Sequence, residues 1–477
     1  MLQESFLCAR YDELPGPTAS ESTIDIFNQT CRALSELTYD RSVWLHSLER
    51  LRRSGDVPLP PEACDPTVLV NLSVSTIESI VVSAARASES WLLPREVWPI
   101  CAPRPAEALA GLIIFLDTWL LIVHANGLVY LWSLRENAPR RGHCATLDLS
   151  GNRKKWRSHC ASLAPGNTHI MLAMSNDILP FETVLYQINI DGEENVFKPV
   201  RTFTNDSPRT ICSLDAARQL LAFYSDAGSL SIVSWDDEKI RTSSMKLDDE
   251  DVEEWFVDIV ALRLLGSHFL AIRTHTIELH ALDAPKRGIR PLRHRLPFPL
   301  RDGSVSISDA IISPSSDSDS RSVRVNVLAY DAHSLVSYAV TVLLPDAMSA
   351  DVQPQMDVTL TGEVCPVRPV ANAGSRTVRY SFFVSTLALG PQAIRAMWIE
   401  RHSLTMTRYV RLCTLNRNEE WHEMDAAASV FTLASYDLRD DLTHCALAEV
   451  SGRVVLGNRA GHVFLLTPTR AAPRQLN

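Results

Sequence analysis

Glycine is scarce in this chain, 18 of 477 residues, or about 4% where roughly 7% is ordinary. Few positions can therefore bring backbone close to a pyrophosphate. Neither Gly-x-x-x-x-Gly-Lys nor Gly-x-Gly-x-x-Gly occurs, which excludes the usual phosphate-cradling loops. The Gly-x-Ser-x-Gly elbow of hydrolases is missing too. The ten cysteines are too few for a disulfide scaffold, and no Cys-x-x-Cys or His-Glu-x-x-His offers zinc ligands. Long apolar runs are lacking. The most apolar stretch, Leu109 to Val123, is broken by Asp117-Thr118, whereas a spanning helix needs about 20 apolar residues. Met1–Arg10 has no basic region followed by a long apolar one, so it is not a secretory signal. The expectation is a cytoplasmic or nuclear protein with reduced thiols, no membrane association, no metal and no cofactor.

What is present is ample material for a core. Hydrophobic residues make up 46% and charged residues 21%, with a formal net charge of −10. This composition excludes global disorder, and the acidic balance argues against nucleic acid as a partner.

The chain divides into two periodicities. Residues 22–91 read as three helices. Phe27, Cys31, Leu34 and Leu37 recur at three- and four-residue spacing on the first. The second carries Trp44, Leu45, Leu48 and Leu51, with Ser42 as its expected cap and Arg52-Arg53-Ser54-Gly55 as its stop. After a proline-rich break at residues 58–66, Ser75 and Glu78 have the spacing of a capping box for a third helix reaching about Trp91. Pro94, Pro99, Pro103 and Pro105 then suggest a stiff linker. Beyond it the period falls to two. Leu109–Val123 reads as strand, turn, strand, and Val336, Tyr338, Val340 and Val342 alternate like Val378, Tyr380 and Phe382. Short strands with small polar turns indicate an all-β fold.

Equivalent strands can be centred on Trp132, Ile188, Trp235, His280, Val340, Trp398 and Phe464. Their intervals bracket the length of a four-stranded propeller blade. The expected fold is thus all-β with a small N-terminal α region: a β-propeller of about seven blades. Trp235-Asp236 is the only Trp-Asp pair, so the architecture is expected without the repeat consensus. The competing arrangement is a double sandwich with a boundary near residues 313–322.

Three charged insertions stand out. Asp236 to Glu254 is acidic, while Lys286 to Arg301 and Arg135 to Arg157 are basic. Lys154, Lys155, Arg157, Arg287, Arg290, Arg293 and Arg295 are candidates for a basic rim facing an acidic protein partner; the alternative is that charged loops only cap the blades. His143-Cys144, His159-Cys160 and His444-Cys445 are adjacent pairs. On strands their side chains point to opposite faces, so they are expected to be structural. No catalytic constellation emerges. An enzyme with carboxylates dispersed over separate blades is the remaining catalytic reading.

The segment from Ile24 to Leu48 resembles the second half of an F-box. Cys31-Arg32-Ala33-Leu34-Ser35-Glu36-Leu37 leads through a polar break into Ser42-Val43-Trp44-Leu45-His46-Ser47-Leu48. With the strands that follow, the layout is similar to fungal F-box proteins with a propeller-like, WD-repeat-like C-terminal half. The leucine-rich opening of the F-box is missing, with Leu14-Pro15 its only trace, so the module is truncated at its N-terminal half. The resemblance implies a non-enzymatic substrate-recognition adaptor of a cullin–RING ubiquitin ligase. It would bind a Skp-type adaptor and recruit an unidentified protein through the propeller. Phe27, Leu34, Leu37, Val43, Trp44 and Leu45 would supply the docking face or its supporting core. The alternative is a protein-interaction scaffold with no ligase association. The expected domains are a disordered tail at 1–21, partial F-box-like helices at 22–56, a helix and linker at 57–106, the propeller at 107–468 and a tail at 469–477.

Overall fold

The protein is seen in a computed structural model that describes residues 40–101, 107–135, 143–152, 155–190, 196–225, 229–236, 243–246, 259–282, 290–314, 320–331, 334–345, 354–364, 382–402, 405–415, 422–423 and 428–468. The helix expected around Phe27 to Leu37 lies outside these residues.

Four helices open the described chain: α1 (Arg41–Ser54), α2 (Pro61–Cys64), α3 (Pro66–Leu69) and α4 (Val74–Ser90). The caps sit slightly upstream of the expected ones. Asp40, not Ser42, caps α1 by accepting the Ser42 N–H at 2.9 Å. Ser73, not Ser75, caps α4 through the Thr76 N–H. The stop of α1 is as expected: Gly55 is left-handed at φ 68° and donates its N–H to the Leu51 carbonyl, a geometry that costs glycine little. Trp44 and Leu48, four residues apart, bury one face of α1 against Ile77 and Ala84 of α4, with Leu59 and Ala63 closing the cluster. The Arg41 guanidinium binds the carbonyls of Leu69, Val70 and Leu72, tying the start of α1 to the end of α3.

All described strands but two short additions, Ile311–Pro314 and His422–Glu423, fall into seven four-stranded antiparallel blades; both additions join the sheet of blade 5, the second in parallel. Blade 1 spans 109–148, blade 2 156–205, blade 3 209–246, blade 4 259–295, blade 5 300–364 and blade 6 382–434. Blade 7 takes three strands from 442–468 and its fourth from Arg95–Cys101, which pairs antiparallel with Val463–Pro468. The proline-rich segment expected as a linker is therefore the strand that closes the ring, and the propeller begins before residue 107. Each expected centre falls in a different blade, Trp235 just past its strand. The double sandwich is excluded. Its supposed boundary lies inside blade 5, where Ile311–Pro314 pairs with Ser320–Asp331.

We name the strands of each blade a to d from the axis outward. The a strands of neighbouring blades approach one another around the axis. In all seven blades the a–b pairing shifts register within strand a, as at Leu109/Gly111, Ile211/Ser213 and Leu442/His444. Such bulges sharpen local twist, which a narrow blade radiating from an axis requires. The b strands are buried on both faces, as in Trp119–His124 and His268–Arg273. Alternation sends Leu120 and Ile122 into the seam with blade 7, and Leu121 and Val123 into the seam with blade 2. One apolar cluster occupies each of the seven seams. Stability is thus distributed around a ring and not gathered in one centre.

Three of the outer strands are only four residues long. Ser243–Lys246 lies within the expected acidic loop, Leu292–Arg295 within one basic loop and Ala145–Asp148 within the other. All three insertions thus contain a d strand. Strands a to d of each blade run antiparallel to their neighbours, so the a–b turns and c–d connections share one end of the ring. The b–c turns and d–a connections share the other.

Candidate functional site

The helices cover the a–b end of the ring at blades 6 and 7. Trp91, just past α4, inserts into the blade 6–7 seam and donates its indole N–H to the Cys413 carbonyl at 3.2 Å. Two guanidinium groups lie over its ring, Arg395 at 4.8 Å and Arg95 at 5.3 Å from the centroid. Burial, then the like charge of Arg395, lowers Arg95 to about 10. Burial lowers Arg395 to about 10 against the opposing pull of Glu449 and Asp117. Both remain cations at neutral pH. Glu449 fills the turn of blade 6, accepting the backbone N–H groups of Gln392, Ile394 and Arg395 at 2.6, 2.7 and 3.0 Å. Burial pushes its carboxyl up, and those three bonds pull it back. The Gln392 amide exchanges hydrogen bonds with the backbone of Leu59, completing the joint.

Of the expected adaptor-binding residues, Phe27, Leu34 and Leu37 lie outside the described residues. Trp44 is buried in the helical core, while Val43 and Leu45 are half-buried on α1.

The expected basic rim is dispersed. Lys154 and Arg287 lie outside the described residues, as does the side chain of Arg157. Lys155 is exposed at the d–a end, ahead of blade 2. Arg295 pairs with Thr276 beside a b–c turn, at the same end but two blades away. Arg290 precedes the other end of that strand and lies on the a–b side. Arg293 is engaged with Glu278, its Nε 2.8 Å from the carboxylate. Glu278 is 1% exposed and also receives His280 Nε2 at 2.8 Å and Arg273 at 3.5 Å. Burial alone would raise this carboxyl. The His280 hydrogen bond and the surrounding positive charge outweigh it and hold Glu278 at about 2. Trp156, within the basic stretch 135–157, is buried over Gly127, whose φ of 91° favours glycine and where a Cβ would overlap the indole.

At the d–a end between blades 6 and 7, one buried carboxylate gathers three arginines. Asp441 accepts Arg408 Nε at 2.9 Å and Arg401 Nη1 at 2.8 Å, with Arg459 Nη2 at 3.6 Å. The loop before it, residues 435–441, exposes Tyr436 and Leu438. No sequence signal links these residues, because Arg401 lies on a strand of blade 6, Asp441 on the connection to blade 7 and Arg459 on a turn of blade 7.

Toward the axis, the His159 ring packs over Gly111 of blade 1. Burial and then His444 push His159 down to about 4. Cys160, its neighbour, faces the opposite seam. Among the described residues, no three side chains of histidine, cysteine, aspartate or glutamate are grouped to hold a metal. No described helix is long and apolar enough to cross a membrane.

The fold defines a seven-bladed β-propeller that occupies most of the chain. No family model matches it, and no curated protein does. Among solved structures it is similar to the β-propeller domain of Cps50 (Swd1) from Myceliophteria thermophila, with 12% identity and a TM-score of 0.48 over 78% of this chain and 100% of that one. It is also similar to the WD40 domain of SCAP from fission yeast (10%, 0.43, 78% and 98%) and to U3-55K (11%, 0.45, 78% and 98%).

Proposed function

We propose that this chain is a non-enzymatic scaffold for protein–protein interaction, with the d–a end of the propeller as its recognition surface. The observation that carries this reading is the asymmetry of the ring. Helices cover the a–b end at blades 6 and 7, and the d–a end of the same blades presents Tyr436 and Leu438 to solvent. A rigid β-frame that holds loops in fixed positions suits recognition.

A ubiquitin-ligase adaptor is the second reading, and the Cys31–Leu48 pattern favours it. The burial of Trp44 supports the simpler scaffold, because the side chain that would mark a docking face is engaged in the helical core. Co-expression of the full chain with a Skp-type adaptor separates the two. A scaffold leaves the adaptor unbound even at low salt. A complex that forms and is lost with Leu34→Asp, while the Tm is unchanged, would establish the ligase reading.

A further inference from the structure

We propose that the loop joining blades 6 and 7, with Arg459 beside it, is a docking surface for an acidic peptide segment that carries an apolar residue. This deepens the scaffold reading and rests on it.

The first observation is apolar exposure on a fixed frame. Tyr436 is 81% exposed and Leu438 50%, two residues apart on one connection. A loop that shows large apolar side chains is usually free to turn them inward; this one is pinned. The Ser435 hydroxyl donates to Asp440 Oδ2 at 2.6 Å and accepts the Asp437 N–H at 3.1 Å. Asp437 Oδ1 in turn accepts the Arg439 N–H at 2.9 Å. Arg408, buried, donates to the Ser435 carbonyl. The neighbouring turn of blade 7 adds two backbone bonds, Arg459 N–H to the Asp441 carbonyl at 2.8 Å and Ala460 N–H to the Arg439 carbonyl at 3.2 Å. An aromatic and an aliphatic side chain on a preorganised frame lose little freedom on binding, which is how a few residues come to dominate an interface.

The second observation is charge. Arg401, Arg408 and Arg459 all converge on Asp441. One carboxylate cannot neutralise three guanidinium groups. Arg408 and Arg401 are largely withdrawn from solvent, but Arg459 is 57% exposed on its side chain and Arg439 is exposed beside it. Asp437 and Asp440 hold the loop's shape and offset part of this charge, so the four guanidinium groups of Arg401, Arg408, Arg439 and Arg459 outnumber the three carboxylates of Asp437, Asp440 and Asp441 by one. The positive charge that reaches solvent lies next to Tyr436 and Leu438. A partner matching both features is a peptide with carboxylates flanking an apolar side chain.

The test starts from a display library of random peptides selected on the full chain, followed by titration of one synthesised, fluorescein-labelled winner. The expected pool is rich in Asp and Glu around Leu, Phe or Tyr. The expected affinity falls at least about tenfold with Tyr436→Ala and with Arg459→Glu, and falls with added salt. Tyr436 is exposed and outside the ion-pair cluster, so melts of Tyr436→Ala should match the parent; Arg459→Gln, which removes the charge without setting a carboxylate against Asp441, should keep the parent's melt and still weaken binding, separating lost binding from lost fold. A pool without acidic enrichment, or peptides indifferent to these variants, overturns this site and leaves the scaffold reading standing. A single-stranded oligonucleotide that binds the parent and is released by Arg459→Glu, with no peptide selected, assigns the surface to nucleic acid and overturns the proposal. If neither probe binds, both this site and the scaffold reading fall.

Discussion

Glu278 shows how a single residue can look like one kind of site in sequence and be another in the fold. Its neighbours Arg293 and His280 belong to a basic stretch and a strand that suggest a surface, yet both turn to a carboxylate buried between blades 3 and 4. The charge is costly to bury and strongly compensated. An unfolded glutamate titrates near 4.3, and the folded one is held at about 2. Because the folded value is the lower, the stabilisation is fully present above about pH 4.5 and is lost as pH falls toward 2. Glu278→Gln, which keeps shape and removes charge, should cost about 3 kcal/mol at neutral pH and flatten the acid side of the stability curve. Urea titrations at neutral and acid pH read this directly. A variant that loses stability in acid as steeply as the parent would contradict the assignment.

At the scale of elements, the joint between helices and ring depends on a turn too tight for any side chain. A Cβ at residue 390 would overlap the Glu449 carboxyl, which holds the turn after strand a of blade 6 through three backbone N–H groups. Neither partner can yield, since Glu449 is fixed by those bonds and the turn is fixed by Glu449. Gly390→Ala should therefore destabilise the protein by about 1–3 kcal/mol, the usual cost of overpacking. Gly151→Ala, where nothing lies within 4 Å of the added carbon, serves as the control and should leave the Tm unchanged. Equal melting temperatures for the two variants would show that the Glu449 clamp tolerates displacement.

The whole molecule is a ring closed by its own beginning. Strand d of blade 7 comes from Arg95–Cys101, more than 340 residues before the strands it joins. Each seam is an apolar cluster shared by two blades, so an open ring leaves two half-seams in water. A chain beginning at residue 107 lacks that strand along with Trp91 and Arg95. It should show no cooperative melting transition and should aggregate, whereas a chain beginning at residue 40 should melt as one unit. Light scattering and thermal denaturation of the two chains compare them, and a monomeric, cooperatively folded 107–477 chain would rule out closure as the source of stability.

Patterns that act within a few residues were readable in the sequence. The Gly55 stop, the apolar face of α1 and the alternating strand through Val336, Tyr338, Val340 and Val342 follow from local chemistry and from spacing, because helix stops and side-chain alternation depend on neighbours in the chain. One expected strand centre per blade survived for the same reason. The d strands did not show. Ser243–Lys246 and Leu292–Arg295 bury little, so their composition resembles that of a loop. Only the tertiary structure decided the rest. It turned a proline-rich stretch into the closing strand, turned Trp44 inward, separated Lys155 from Arg290, and brought Arg401, Arg459, Tyr436 and Leu438 together around Asp441. Those relations join residues from different blades or opposite ends of the chain. They depend on how a closed ring places its connections in space, and no local pattern encodes that.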